Sequence, residues 1–281
     1  MTGEYISYEK IAQVIGIKPG DIVYLSSDIL PLAWTAKLHG ECFNIDRLID
    51  SFQEQVTLKG TLLIPAFHFS FSNTGFFDYC KTPSAAGALG NAALKRADFK
   101  RTSHPMHSFC VWGKDKGMLC ALQNKNSFGE DSPFAYMHEK DAIQVMLGTD
   151  YQRSMTFVHY VENRAGVPYR FQKEFTGTYV DGDGISETRT YPYPARYLEL
   201  GSMERFNRIG RKLEGLGKAE SKDINGIPVK KVMLAESYQL IYEDIKYNMC
   251  RNLYDFNRER EAIWGSYGSR GERENGKRDK E

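Results

Sequence analysis

Residues 142–164 read AIQVMLGTDYQRSMTFVHYVENR. The run Ile143–Leu147 is apolar but for Gln144 and closed by Gly148, the pattern of a strand buried on both faces. A polar loop, 149–154, follows. Thr156 then stands where a helix N-cap is wanted, ahead of Phe157-Val-His159-Tyr-Val-Glu162. His159 and Glu162 are three residues apart, so a helix puts them on one face. They would lie just past the carboxyl end of a buried strand, where open α/β sheets bind ligands. A histidine oriented by a carboxylate is a base suited to neutral pH.

Bulk properties narrow the function classes. The chain has 281 residues, 41% hydrophobic, enough for one large core. With a formal net charge of +1 and no basic stripe interleaved with aromatics, nothing points to a nucleic-acid partner. Cys42, Cys80, Cys110, Cys120 and Cys250 are widely spaced and include no CxxC, which suits free thiols in a reducing compartment. The N-terminus carries no apolar leader, and no run approaches the ~18 apolar residues of a spanning helix. The expectation is a cytoplasmic protein with no membrane partner.

Outward from that stretch, helices and strands alternate. A short helix over 8–15 and a turn at 17–21 precede a buried strand over 22–25. Ser26-Ser27-Asp28 ends the strand, with residues that either cap a helix or surround a bound anion or oxyanion. An amphipathic helix covers 44–56, with Ile45, Leu48, Ile49, Phe52 and Val56 on one face. A strand over 61–65 repeats the rhythm of a mostly parallel sheet. Residues 66–77, rich in aromatics and containing His68, read as a long loop over a pocket or the core. Short helices are expected over 91–98, 114–122 and 134–139, the last begun by Pro133, with a strand over 109–112. After Pro168 come two hairpin signals, Asp181-Gly-Asp-Gly184 and Asn225-Gly226, a helix over 202–216 and a long one over 235–254. From Arg258 the chain is charged and nearly devoid of apolar residues, the composition of a disordered tail.

Five segments stand out together: Ser26-Ser27, Thr82-Pro-Ser84 with Gly90, Arg101-Thr-Ser-His-Pro-Met-His-Ser108, Asp131-Ser-Pro133, and Thr156-Phe-Val-His-Tyr-Val-Glu162. Their order and spacing resemble the aminoglycoside 3-N-acetyltransferase family, within the antibiotic N-acetyltransferase superfamily. The matches span roughly 18–164. The resemblance implies an α/β/α sandwich around a mostly parallel sheet, with a C-terminal portion of β-hairpins and a long helix. It implies a single acyltransferase domain over 1–257: core motifs over 18–164, an acceptor-shaping portion over 168–257, and the tail over 258–281.

The implied activity is transfer of an acetyl or other short acyl group from an acyl-CoA to a sugar amine, without metal and without a covalent enzyme intermediate. Carried over residue by residue, His159 is the general base and Glu162 its orienting partner. Ser26, Ser27, Asp28, Ser103, His104 and Ser108 would line the CoA thioester. Asp131, Ser132 and His68 would face the acceptor. A sugar amine must lose a proton to attack a thioester, and the oxyanion it forms needs hydrogen-bond donors.

After Ser26-Ser27 the family usually runs on to a glycine, whereas this chain continues Asp28-Ile-Leu-Pro-Leu-Ala-Trp34, and the motifs that carry the resemblance all precede Pro168. An aminoglycoside is a polycation and favours an acidic cleft. The near-neutral charge therefore tilts the expected acceptor toward a nucleotide-linked amino sugar, with aminoglycoside acetylation as the alternative. His104 and His107 also have the HxxH spacing of a metal hydrolase, although Pro105 between them breaks a shared helix face. A non-catalytic scaffold is the remaining alternative. Oligomeric state is left open, a homo-oligomer included.

Overall fold

The computed structural model describes residues 4–265. Its elements are, in order, α1 Ile11–Val14, β1 Ile22–Ser27, α2 Leu30–Leu38, α3 Ile45–Val56, β2 Thr61–Pro65, α4 Ser70–Thr74, β3 Phe76–Asp78, α5 Ala88–Ala93, β4 Lys100–Arg101, β5 Phe109–Gly113, α6 Lys116–Ala121, α7 Pro133–Glu139, β6 Ile143–Leu147, α8 Tyr151–Ser154, α9 Phe157–Ala165, β7 Arg170–Val180, β8 Ser186–Arg196, β9 Met203–Glu204, α10 Phe206–Gly215, β10 Ala219–Ile224, β11 Ile227–Met233, α11 Leu234–Asn248 and β12 Tyr254–Asp255.

Seven strands form the central sheet, in the order β10-β11-β6-β1-β2-β5-β4. β6, β1 and β2 are parallel, with Val23 facing Ile143 on one side and Leu62 on the other. Every other pairing in this sheet is antiparallel. The sheet is therefore mixed, with a parallel centre. A run of buried apolar residues announces a strand, but it carries no information about direction.

Both faces of the sheet are covered. Val23, Leu25, Leu62, Ile64, Val145 and Leu147 pack on one side with Leu48, Ile49, Phe52 and Val56 of α3. Tyr24, Leu63, Phe109, Val111 and Met146 point to the other, against α7, α9 and α11. α3 begins as its sequence dictates: Asn44 Oδ1 accepts from the Asp46 and Arg47 amides at 2.8 and 3.2 Å.

A second sheet, β3-β7-β8, carries its own small core of Phe71, Phe77, Met106, Tyr179 and Tyr191. Residues 66–77, expected as one loop, contain α4 and most of β3, because β3 finds a partner in β7 a hundred residues away. The helix expected over 202–216 begins only at Phe206, since Met203–Glu204 pairs with β12. The tail expected from Arg258 is also corrected. Residues 260–265 are helical, Ile263 is buried, and Arg260 donates to the Met249 carbonyl at 3.0 Å. Residues 266–281 of that expectation lie outside the described residues.

The motif Thr82-Pro-Ser84 with Gly90 packs tightly under the carboxyl end of β2. Asn91 brackets Ser84, its Oδ1 accepting from the Ser84 amide and its Nδ2 donating to the Ser84 carbonyl. A Cβ on Gly90 would fall 2.3 Å from the Pro65 carbonyl oxygen. Gly117, also helical, has nothing within 4 Å of its Cβ position. Gly90→Ala should therefore lower stability in urea unfolding by about 2 kcal/mol or more, as overpacking does. Gly117→Ala should leave it unchanged or raise it by up to ~1 kcal/mol through helix propensity. Equal midpoints for the two variants would contradict this packing.

Candidate active site

α9 presents the two residues singled out by the sequence. It stops at Gly166, which sits in the left-handed region (φ 64°) and donates its amide to the Glu162 carbonyl at 3.0 Å. Thr156 does not cap it: the residue is already helical in backbone, and its hydroxyl lies beside the Tyr24 phenol. One turn in, His159 Nδ1 is 2.8 Å from Glu162 Oε2.

Glu162 is fully buried. Its Oε1 accepts from the Tyr169 hydroxyl at 2.8 Å. Arg170 Nε lies 2.8 Å from Oε2, close enough for an ion pair but too bent for a hydrogen bond. The Tyr254 hydroxyl, which accepts from Arg170 at 3.1 Å, also favours the ionised carboxylate. Burial by itself would raise the Glu162 pKa. Arg170, His159 and these donors outweigh it and hold the group at about 2. An ionised carboxylate only accepts, so the proton on His159 sits on Nδ1. Arg170 Nη2 also approaches Nδ1, at 3.1 Å, and donates to the Tyr254 hydroxyl at 3.1 Å. His159 Nε2 is left as an acceptor.

That acceptor belongs to a cavity of about 400 Å³ at the carboxyl ends of β1, β2 and β6. Ser26, Ser27 and Asp28 form one wall, and Phe67, Phe69 and Ala85–Ala86 another. Thr149, Arg153, Ser154 and Thr156 come from the segments after β6, and Tyr193 of β8 closes the side. The Ser27 hydroxyl lacks a protein partner among the described residues. Ser26 is tied to the sheet, donating to the Val145 carbonyl at 3.2 Å.

Other expected residues are elsewhere. Ser103 donates to the Leu122 carbonyl at 2.6 Å and lines a separate groove beside β4. Ser108 accepts from Arg101 Nε and donates to the Ala66 carbonyl, both at 2.9 Å. Arg101, buried, also donates to the Ala66 carbonyl, so this pair braces the loop after β2. Ser132 caps α7, accepting from the Ala135 amide. Asp131 is exposed, and His68 accepts from the Ser70 amide; neither lines the cavity.

His104 is wholly buried behind the cavity. Its Nδ1 accepts from the Met106 and His107 amides, each at 3.2 Å, so the HxxH pair does not converge on a metal. Among the described residues no group of three or more His, Cys, Asp or Glu side chains could hold one. His107, by contrast, lines the cavity with Tyr193. Tyr169, Arg170, Tyr193 and Tyr254 carry no local signature in the sequence. Only their aromatic and basic character, close after the His–Glu pair for the first two, could have flagged them.

With this geometry in hand, the likeness to known proteins is decisive. A model of the aminoglycoside 3-N-acetyltransferase family matches residues 35–243. The chain belongs to that family. In Bacillus subtilis (strain 168), the SPbeta prophage-derived aminoglycoside N(3')-acetyltransferase-like protein YokD is 25% identical over 182 residues. That match covers 56% of this chain and 63% of YokD, so the chain aligns with under two thirds of its curated relative. The fold resembles that of the aminoglycoside acetyltransferase AAC(3)-Xa, at TM-score 0.72 and 18% identity over 85% of this chain and 91% of that one. It also resembles AAC-IIIb, solved as a binary complex with CoASH, at TM-score 0.71 and 17% identity over 86% and 96%.

No helix among the described residues is long and apolar enough to cross a membrane. For this member of the family, Glu162 gives a stability test. Its carboxyl is depressed from 4.5 to about 2. A depressed carboxylate contributes stability that is complete above the unfolded pKa and is lost as pH falls through the folded one. Between about pH 5 and 2 the wild type should therefore lose on the order of 3 kcal/mol through this group. Glu162→Gln should lack that part of the acid dependence. It should also be about 3–5 kcal/mol less stable at neutral pH, because Arg170 is left buried and unpaired. Parallel pH-stability curves for the two proteins would refute the coupling.

Proposed function

We propose that the protein is an acyl-CoA-dependent N-acetyltransferase that acetylates an amine of an aminoglycoside, with His159 as general base and Glu162 as its orienting partner. One observation carries the chemistry: an imidazole whose Nδ1 is bound at 2.8 Å to a buried, ionised carboxylate opens onto a cavity large enough for reacting groups. The family supports the reaction class, and the CoASH complex of AAC-IIIb supports the co-substrate.

The expected preference for a nucleotide-linked amino sugar rested on net charge and is set aside. Whole-chain charge describes solubility and long-range steering, and it does not report the wall of one cavity. The family favours the aminoglycoside.

In the reaction, the acceptor amine gives its proton to His159 Nε2 as its lone pair attacks the thioester carbonyl. The tetrahedral oxyanion collapses, the C–S bond breaks, and the proton returns through His159 to the CoA sulfur. Glu162 fixes the tautomer and stabilises the imidazolium formed in passing. In this reading the segment Ser26–Asp28, which lines the cavity, meets the thioester end of CoA.

Purified protein should release thiol from acetyl-CoA with one or more aminoglycosides and much more slowly with nucleotide-linked amino sugars. His159→Ala should reduce kcat by ~10²–10⁴ without loss of fold by circular dichroism. CoA binding without release for any amine, or faster turnover of a nucleotide-linked sugar, would overturn the assignment of acceptor. An active His159→Ala would overturn that of the base.

A further inference from the structure

His107 lines the same cavity as His159, and the mechanism above gives it no task. The Phe128 ring stands between them, its centroid 4.9 Å from the ring of His107 and 5.8 Å from that of His159. Tyr193 lies parallel to His107 on another side. The hydrogen bonds behind His107 determine which of its nitrogens carries a proton.

His104 is the start of that chain. Its Nδ1 accepts two backbone amides, and its Nε2 lies 3.2 Å from the Lys125 carbonyl, which can only accept. His104 is therefore protonated on Nε2. That same N–H also lies 3.3 Å from Ser127 Oγ, so the serine cannot give its own proton to His104. The only other partner of Ser127 Oγ among the described residues is His107 Nδ1, at 3.0 Å. A buried hydroxyl proton needs an acceptor, and here only His107 Nδ1 offers one. His107 Nδ1 is thus unprotonated, and the neutral ring carries its proton on Nε2. His107 lines the cavity, and among the described residues its Nε2 makes no hydrogen bond. It is a free N–H in the cavity. Burial lowers both imidazoles, His104 to about 4 and His107 well below its ordinary value, so both stay neutral at physiological pH.

We infer that His107, its tautomer set by the relay from His104 through Ser127, donates Nε2–H to the oxyanion of the tetrahedral intermediate. This rests on the acetyl-transfer reading above. As the amine nitrogen bonds to the carbonyl carbon, the C=O π pair moves to oxygen. The amine proton goes to His159, whose Nε2 is an acceptor. The oxygen receives the hydrogen bond from His107, whose Nε2 is a donor. On collapse the pair returns, the C–S bond breaks, and the sulfur takes the proton from His159. The two imidazoles thus play opposite parts because their Nδ1 partners differ: an ionised carboxylate for His159, a serine hydroxyl for His107. A neutral donor can stabilise the oxyanion without adding a positive charge to oppose protonation of His159. Ser127 and His104 are positioning residues.

The test uses full-length protein, acetyl-CoA and the aminoglycoside that wild type turns over fastest. His107→Phe keeps a ring against Phe128 and Tyr193 but removes the donor. It should lose ~10²–10³ in kcat, the cost of one oxyanion donor, with KM for both substrates unchanged. His107→Gln, whose amide N–H reaches the place of Nε2, should recover most of that loss. Ser127→Ala should lose less than His107→Phe. Imidazole ¹⁵N NMR near neutral pH should show His107 with Nδ1 unprotonated and Nε2 protonated in wild type, and mixed tautomers in Ser127→Ala. Full kcat in His107→Phe, or a neutral ring protonated on Nδ1, overturns the inference while the acetyltransferase reading stands. A wild type that acetylates no acceptor overturns that reading and this role with it. Should His107→Phe not fold, the nitrogen signature and Ser127→Ala decide the matter.

Discussion

A carboxylate without access to water has to be neutralised and hydrogen-bonded on every side, and Glu162 meets that demand with groups from distant parts of the chain. His159 comes from its own helix, Tyr169 and Arg170 from the start of β7, and Tyr254 from β12. Each is costly alone: Arg170 is itself buried, and the two tyrosines are pushed well above their ordinary pKa by burial. Together they compensate one another. The same cluster ties the C-terminal hairpin and strand onto α9. Stability of the fold and orientation of His159 therefore rest on one set of contacts.

The cavity wall is built on the same economy of parts. The parallel trio β6-β1-β2 brings its carboxyl ends together, and three segments leave that edge carrying Ser26–Asp28, Phe67–Phe69 and Thr149–Thr156. Arg101 and the Gly90 contact hold the neighbouring loops in place from behind, with backbone carbonyls as their partners. Polar residues of the motifs thus divide into those that face the cavity and those that satisfy buried backbone groups beneath it.

Much of this is legible in the amino-acid sequence. The spacing of His159 and Glu162 puts them on one helical face, and the strands at 22–25, 61–65, 109–112 and 143–147 are evident from apolar runs. Both hairpins follow from their turns. Less legible is anything set by long-range pairing. The antiparallel flanks of the sheet, β3 and the helix at 260–265 depend on partners far along the chain. Arg170 and Tyr254 are unremarkable until folding brings them to Glu162. Within 101–108 the pattern points to Ser103, His104 and Ser108 for the site, yet His107 alone lines the cavity. A serine or histidine that braces a loop and one that faces a ligand have the same letters. Their hydrogen-bond partners separate them, and those are properties of the fold.

In the proposed reaction no side chain is assigned as a nucleophile, so the acyl group passes from sulfur to amine in a single encounter of both substrates. Protein mixed with acetyl-CoA in the absence of acceptor, followed by free-thiol release and intact mass, tests this directly. The prediction is no thiol release and an unmodified mass until an aminoglycoside is added, followed by turnover. A burst of thiol stoichiometric with protein, together with an acetylated chain, would contradict it and put a covalent intermediate in place of the proposed general-base step.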